Sequence, residues 1–237
     1  MMSWTTDLFD AVSEADLARV RDSLSNGADI LAIVDERDIL SAAVTWSANT
    51  DKQIINLLIE SGANPNLCGS DGTTALYWAA SMNDPELVKI LMEAGARVDA
   101  EQPEDGDTSL HVASEHGNLE NVRLLLKAGG ESALSRFNYI AYTPLMWAAE
   151  IGNIEIAKAL IEAGSDVNAH DESRIGNTAL LIATKQGNFE MIHLLVGSGA
   201  DPTIPGWMGI TALSIVRKPT TSEEQQILEL FGKKISC

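Results

Sequence analysis

Apolar positions along the chain fall into short blocks at helical spacing, two blocks to a unit, and the unit recurs. In Asn121–Lys127 and Ile154–Ile161 the aliphatic residues return at intervals of three and four, so each stretch predicts an amphipathic helix. Upstream lie shorter, alanine-containing blocks, each opened by a threonine: 74–79, 108–113, 143–148, 178–183 and 211–216. A threonine hydroxyl accepts from the free N–H groups of a first turn, and Ala and Leu carry a helix, so these blocks predict capped helices. A Gly-Asn pair at 117–118, 152–153 and 187–188 ends the first block, and a further glycine follows the second. That glycine suits the left-handed position after a last helical turn. Each unit therefore predicts helix, turn, helix and then a polar, Pro- and Asp-rich extended finger.

Two independent rulers give one period. The opening threonines are spaced 34, 35, 35 and 33 residues apart, and the closing glycines (Gly27, Gly62, Gly95, Gly129, Gly164, Gly199) are spaced 35, 33, 34, 35 and 35. One helix pair cannot bury its apolar face alone, so a repeat of this length predicts a stacked array. The ends depart from the pattern, as capping units do. Residues 5–27 hold a pair, Leu8–Val12 and Leu17–Leu24, without the threonine signature. Asp38 stands at the threonine position of the next unit, which carries three extra residues around 47–50. The last unit has Arg217–Pro219 where the bend glycine would sit, then a charged helix from about Ser222 to Phe231. The reading is one domain over 1–237: an N-terminal cap at 5–37, repeats at 38–71, 72–105, 106–140, 141–175 and 176–208, and a C-terminal cap at 209–237, seven helix pairs in all.

Thr143-Pro144-Leu145, the Thr108–His111 tetrad, Gly164–Asn168 and Gly199–Asp201 resemble the ankyrin repeat family, and the resemblance spans nearly the whole chain. It implies an all-α ankyrin repeat solenoid of helix-turn-helix units joined by extended fingers. It further implies a non-enzymatic module that binds another protein through a concave face of finger tips and first helices. The family's variable contact positions flank the finger glycine and precede the inter-helix glycine. They map here to Ser70, Asp71, Thr73, Ser81 and Met82, then to Glu104, Asp105, Asp107, Glu115 and His116. Tyr139, Ile140, Tyr142, Glu150 and Ile151 follow, then Arg174, Ile175, Asn177, Lys185 and Gln186, and last Trp207, Met208 and Ile210. Thr45 and Trp46 match at the lengthened bend. His111, at the family's histidine position, is implied to bond within and between loops rather than to catalyse.

Composition sharpens which of these positions matter. The chain carries 34 acids against 16 bases, a net charge of −18, which argues against nucleic acid or an anionic membrane as partner. Residues 1–120 hold 22 acids and 6 bases, residues 121–237 hold 12 and 10. The finger 97–107 sets Asp99, Glu101, Glu104, Asp105 and Asp107 against Arg97. Like charges about 7 Å apart repel by roughly 2 kcal/mol at an effective dielectric of 20, and a cationic partner would relieve that. The next finger brings Phe137, Tyr139, Ile140 and Tyr142 to positions expected to face solvent, where Tyr and Trp dominate binding hot spots. Trp207 and Met208 serve either as contacts or as cover for the core end against the last helix; Trp78 and Trp147, in register, read as core. The candidate partner-binding set is Trp46, Asp71, Glu104, Asp105, Asp107, Glu115, Phe137, Tyr139, Ile140, Tyr142, Glu150, Trp207 and Met208. Finger length adds a separate clue: glycine to threonine is 12 residues before Thr74 and Thr211 but 13, 14 and 14 in between, which reads either as a built-up recognition edge or as drift in loops that tolerate insertion.

Chemistry beyond binding is not written in the sequence. His111, His116, His170 and His193 sit without a second His or Cys at ligand spacing, and Cys68 and Cys237 form no pair, so neither metal nor cofactor is expected. There is no phosphate-binding glycine loop and no nucleophile elbow. The N-terminal stretch lacks a basic and apolar leader pattern, which predicts a cytoplasmic protein, monomeric in isolation. Small acidic ankyrin chains resemble the immunity partners of secreted toxins, many of them basic nucleases. The expected function is binding of a basic protein and action by occlusion, as an inhibitor or immunity-type protein. The alternative is a passive scaffold or adaptor gripping an apolar peptide through Tyr139, Ile140, Tyr142, Trp207 and Met208.

Overall fold

The threonine-opened blocks fold as expected because their first turns are satisfied locally. In a computed structural model, Thr74, Thr143 and Thr178 each accept a hydrogen bond from the backbone N–H three residues on, and Asp38 does the same work through Leu40 and Ser41 N–H. The structure describes residues 3–46, 51–173, 176–216, 218–219 and 221–235. The extra residues at 47–50, the finger positions Arg174 and Ile175, and Arg217 and Cys237 lie outside the described residues.

Seven helix pairs are present among the described residues: α1 (Trp4–Ser13) with α2 (Leu17–Ser25), α3 (Ile39–Thr45) with α4 (Lys52–Glu60), α5 (Ala75–Ser81) with α6 (Pro85–Glu93), α7 (Ser109–Glu115) with α8 (Leu119–Lys127), α9 (Pro144–Glu150) with α10 (Ile154–Glu162), α11 (Ala179–Gln186) with α12 (Phe189–Gly197), and α13 (Ala212–Val216) with α14 (Ser222–Ile235). They gather into two compact units, residues 1–104 and 105–237. In the first, α1, α3 and α5 stack in order and α2 lies on α4; in the second, α7, α9, α11 and α13 stack in order beside α8, α10, α12 and α14. This side-by-side stacking of helix pairs is the solenoid arrangement of an all-α repeat protein.

The stacking surface is written in the repeat. The leucine two residues after each full threonine signature (Leu76, Leu110, Leu145, Leu180) is buried, as is the alanine five residues after it (Ala79, Ala113, Ala148, Ala183). Leucine fills the seam and alanine lets neighbouring helices approach. The closing glycine ends α10 in the expected way. Gly164 has φ +100°, Ser165 N–H reaches back to Leu160 carbonyl at 3.0 Å and Gly164 N–H to Ile161 at 3.0 Å, so the last carbonyls keep their partners.

Fingers are anchored to their neighbours through a recurring asparagine. Asn66 accepts from Arg97 N–H at 2.8 Å and donates to Gly95 carbonyl at 2.9 Å; Asn168 accepts from Asp201 N–H at 2.8 Å and donates to Gly199 carbonyl at 3.4 Å. Several fingers depart from a plain extended loop. The first finger forms a small antiparallel hairpin, β1 (Ile33–Val34) with β2 (Arg37–Asp38). In the finger before Thr143, part of the 14-residue span is a 3-10 turn at Gly130–Ala133 that buries Ala133 and Leu134, so the added length there goes into packing as well as reach. At the C-terminus α14 runs to Ile235, past the expected Phe231, and seats Ile227 and Phe231 in the core.

Candidate functional site

The aromatic finger of the second unit is held out by a small buried polar framework. Asn138 is interior; its side-chain oxygen accepts from Tyr142 N–H at 2.8 Å, and its amide donates to Asp107 Oδ1 at 2.9 Å. Tyr139 N–H donates to Asp105 carbonyl at 2.6 Å, and the Tyr139 ring lies where a side chain on Gly106 (φ +75°) would approach to 3.1 Å. Ala141 takes a left-handed φ of +62°, closing the tip with an Ala141 N–H bond to Asn138 carbonyl at 2.9 Å. The result displays Tyr139 and Ile140 at 59% and 46% exposure, with Ile151 also exposed at the end of α9.

His111 forms the other side of this framework. Its Nδ1 accepts from Thr108 N–H at 3.2 Å, which leaves Nε2 as the protonated nitrogen, donating to Arg136 and Tyr142 carbonyls at 3.1 and 3.2 Å. The ring therefore bonds within its own helix start and to the next finger. Burial pushes its pKa down to about 4, against the pull of the two carbonyls, and the imidazole stays neutral. Trp147 and Trp78 are half-buried; the Trp78 indole N–H reaches Thr73 Oγ1 at 2.9 Å and its ring carries the Arg37 guanidinium at 4.5 Å.

The expected acidic face is in part interior. Asp107 is only 6% exposed, a correction to its expected surface position. Burial is the main cause that pushes its carboxyl up to about 6; the Asn138 hydrogen bond resists this, Asp105 and Glu115 add to it, and the Trp147 indole resists. Asp71 and Asp105 are half-buried and close turns, accepting from the N–H two residues on, Thr73 at 2.9 Å and Asp107 at 2.9 Å. Asp171 and Asp201 do the same for Ser173 and Thr203 at 2.9 and 2.8 Å. An acid two residues before a turn N–H is a local chain-folding device, and this Asp-x-polar spacing was a signal available in the sequence.

The remaining positions divide by exposure. Glu104 and Glu150 are exposed, Glu115 and Phe137 half-buried. Tyr142 is half-buried with its hydroxyl on Glu150 Oε2 at 3.2 Å and its ring 5.1 Å from Trp147; burial first, then Glu150, pushes its pKa up to about 12. Trp46 is half-buried with its ring 5.9 Å from Phe9, which ties it to the core of the first unit. Trp207 and Met208 stand 61% and 77% exposed on a 3-10 turn and do not cover the end of the core. They border an open groove of about 440 Å³ with Gly176, Pro205, Gly206, Gly209, His170 and Glu172. Neither His170 nor Glu172 carries a sequence signature as a neighbour of Trp207, because nothing in the repeat pattern marks two consecutive finger tips as walls of one groove.

Among the described residues no group of His, Cys, Asp and Glu is placed to hold a metal ion, and no helix is long and apolar enough to cross a membrane. Cys68 is exposed and unpaired by a disulfide.

Comparison with known proteins agrees with the repeat architecture. The chain matches the model of ankyrin repeats (3 copies) over residues 39–136 and 133–205. A putative ankyrin repeat-containing protein of Treponema pallidum (strain Nichols) is 33% identical over 86 residues, 36% of this chain and only 28% of that protein. Among solved structures, the ankyrin repeat domain of Bcl-3, described as a unique member of the IkappaB protein family, aligns with a TM-score of 0.79 at 25% identity, covering 96% of this chain and 98% of that one. The family model takes in well over half of the residues, and the chain belongs to the ankyrin repeat family, whose domains are protein–protein interaction modules and typically non-enzymatic.

Proposed function

We propose that this chain binds a partner protein with a basic surface through its finger face and acts by occlusion, as an inhibitor or immunity-type protein. The observation that carries the reading is the display of Tyr139 and Ile140 on a rigid, hydrogen-bonded tip in a chain of net charge −18. Exposed aromatic anchors supply desolvated contact area, while the acidic field steers a cationic partner and speeds association. Glu104 and Glu150 are the exposed acids of the candidate set, and Tyr142 braces Glu150 at the edge of the tip. Asp105 and Asp107 serve the turn and the buried framework that support the tip, and Asp71 closes a turn of its own finger.

The test is capture of proteins on the immobilised chain, with elution by a step from about 0.05 to 0.5 M NaCl, which shortens the screening length severalfold. Basic proteins should be retained and then released, and Tyr139→Ala with Ile140→Ala should abolish retention of the specific partner. Retention of no basic protein, or retention indifferent to those changes and to Glu104→Lys with Glu150→Lys, overturns the reading. The exposure of Trp207 and Met208 favours a second reading, an adaptor gripping an apolar peptide. Affinity that ignores salt but is lost with Tyr139→Ala or Trp207→Ala selects it.

A further inference from the structure

The groove beside Trp207 is a constructed feature. Two fingers meet there through glycines: a Cβ on Gly176 would sit 3.7 Å from the Cα of Gly206, and a Cβ on Gly206 would lie 2.3 Å from Leu181 Cδ2 and 3.1 Å from Asn177 Oδ1. The tip of the second finger is therefore seated directly on a core leucine at the start of α11. Above that seat the chain closes through Gly206 N–H to Ile210 carbonyl at 2.8 Å and Gly209 N–H to Gly206 carbonyl at 3.0 Å. Met208 is held at φ +59°, a left-handed conformation that a side-chain-bearing residue rarely adopts. That backbone lifts Trp207 and Met208 into solvent on a supported platform, where large apolar side chains are otherwise costly to display.

The opposite wall offers acceptors. His170 Nδ1 lies 2.9 Å from Asn168 carbonyl and so carries a proton, which in the neutral ring leaves the lone pair on Nε2. Nε2 lies 3.6 Å from Glu172 Oε1, and among the described residues no Lys or Arg forms an ion pair with Glu172. An indole face, a carboxylate and an imidazole lone pair thus border one opening of a size that accepts a side chain with its flanking backbone. An apolar occupant would leave the carboxylate and lone pair idle, and an anionic one would be repelled by Glu172. A planar cation satisfies all three, stacking on the ring while its N–H fork reaches the acceptors.

We propose that the groove bordered by His170, Glu172, Gly176 and residues 205–209 receives an arginine side chain of a partner protein, its guanidinium stacked on Trp207 and hydrogen-bonded to Glu172 and His170 Nε2. This deepens, and rests on, the reading that the chain binds a basic protein. It places one specific recognition element on the last full finger, apart from the Tyr139 tip.

The experiment is an NMR titration of the full, 15N-labelled chain with a blocked pentapeptide, Gly-Ser-Arg-Ser-Gly, and with its counterpart carrying neutral citrulline in place of arginine. The arginine peptide should shift the Trp207 indole and the Gly206 and Gly209 amide signals saturably, and the citrulline peptide should bind about tenfold more weakly or worse. Trp207→Ala should remove binding, and Glu172→Gln should weaken the arginine peptide while leaving the citrulline peptide unchanged. Equal binding of the two peptides, or no shift at millimolar arginine peptide, overturns the assignment. If the peptide fails while basic proteins are still captured through Tyr139 and Ile140, the groove assignment alone falls. If the peptide binds and no basic protein is captured, the occlusion reading falls and the groove remains.

Discussion

At the scale of single residues, Asp107 and His111 set opposite pH dependences in the same unit. Asp107 has a folded pKa raised from 3.8 to about 6, so the stability that protonation confers is complete below the unfolded value and is lost as pH rises through 6. His111 has a folded pKa lowered from 6.5 to about 4, so its contribution is complete above 6.5 and is lost as pH falls through 4. Each shift is near two units, about 3 kcal/mol, and over pH 4–6.5 the two largely cancel. Asp107→Asn keeps an oxygen for the Asn138 amide and removes the buried charge. In urea unfolding it should raise stability at pH 7.5 by about 2 kcal/mol and should steepen the loss of stability between pH 6.5 and 4, by exposing the His111 slope. A variant with unchanged stability at pH 7.5 would show that Asp107 is solvated in solution. None of this was legible in the sequence, where Asp107 reads as one more acid of a charged finger; its burial depends on Asn138, 31 residues on. The exposure of Tyr139, by contrast, was legible, because the repeat register alone assigns its position to a finger tip.

At the scale of elements, the caps and bends were legible because they are local. A threonine and the N–H three residues later, or a glycine and the two residues before it, need no knowledge of the rest of the fold. Thr143→Ala should therefore cost about 1 kcal/mol of unfolding free energy, since Met146 N–H loses its acceptor at 3.3 Å. The brackets between fingers were not legible, since an asparagine in a polar loop has no signature until its neighbour is in place. Asn168→Ala deletes bonds to Gly199 and Asp201 at once. The expected loss is about 2 kcal/mol, with faster amide exchange confined to the finger after α12. Exchange spread evenly over the second unit would instead mean that fingers and helices unfold together. The 3-10 turn at Gly130–Ala133 was hidden for a related reason. A Cβ on Gly130 would lie 2.7 Å from Leu125 carbonyl, a contact with α8 that loop composition cannot announce.

At the scale of the whole molecule, the charge of −18 divides differently once the acids are placed. Asp16, Asp38, Asp51 and Asp84 cap helices in residues 1–104, each accepting backbone N–H groups, and Asp71 closes a turn there. These acids are where they are for local folding reasons, so their abundance alone does not argue for a cationic partner. It does leave a net field, because acids outnumber bases whichever backbone groups they bond to. Residues 1–104 hold 18 acids and 6 bases, and residues 105–237 hold 16 and 10. Self-repulsion of like charges opposes the compact state and is screened by salt, with a Debye length falling from about 30 Å at 0.01 M to about 8 Å at 0.15 M. Raising NaCl from low to physiological concentration should therefore stabilise both units, and should stabilise residues 1–104 more. Hydrogen exchange read by mass spectrometry separates them: protection of α3–α6 amides should rise more steeply with salt than that of α9–α12. Equal slopes would mean that the capping acids are already compensated by the helix ends they serve, and the attraction for a basic partner would then rest on the exposed acids that cap no helix, Glu104 and Glu150 among them.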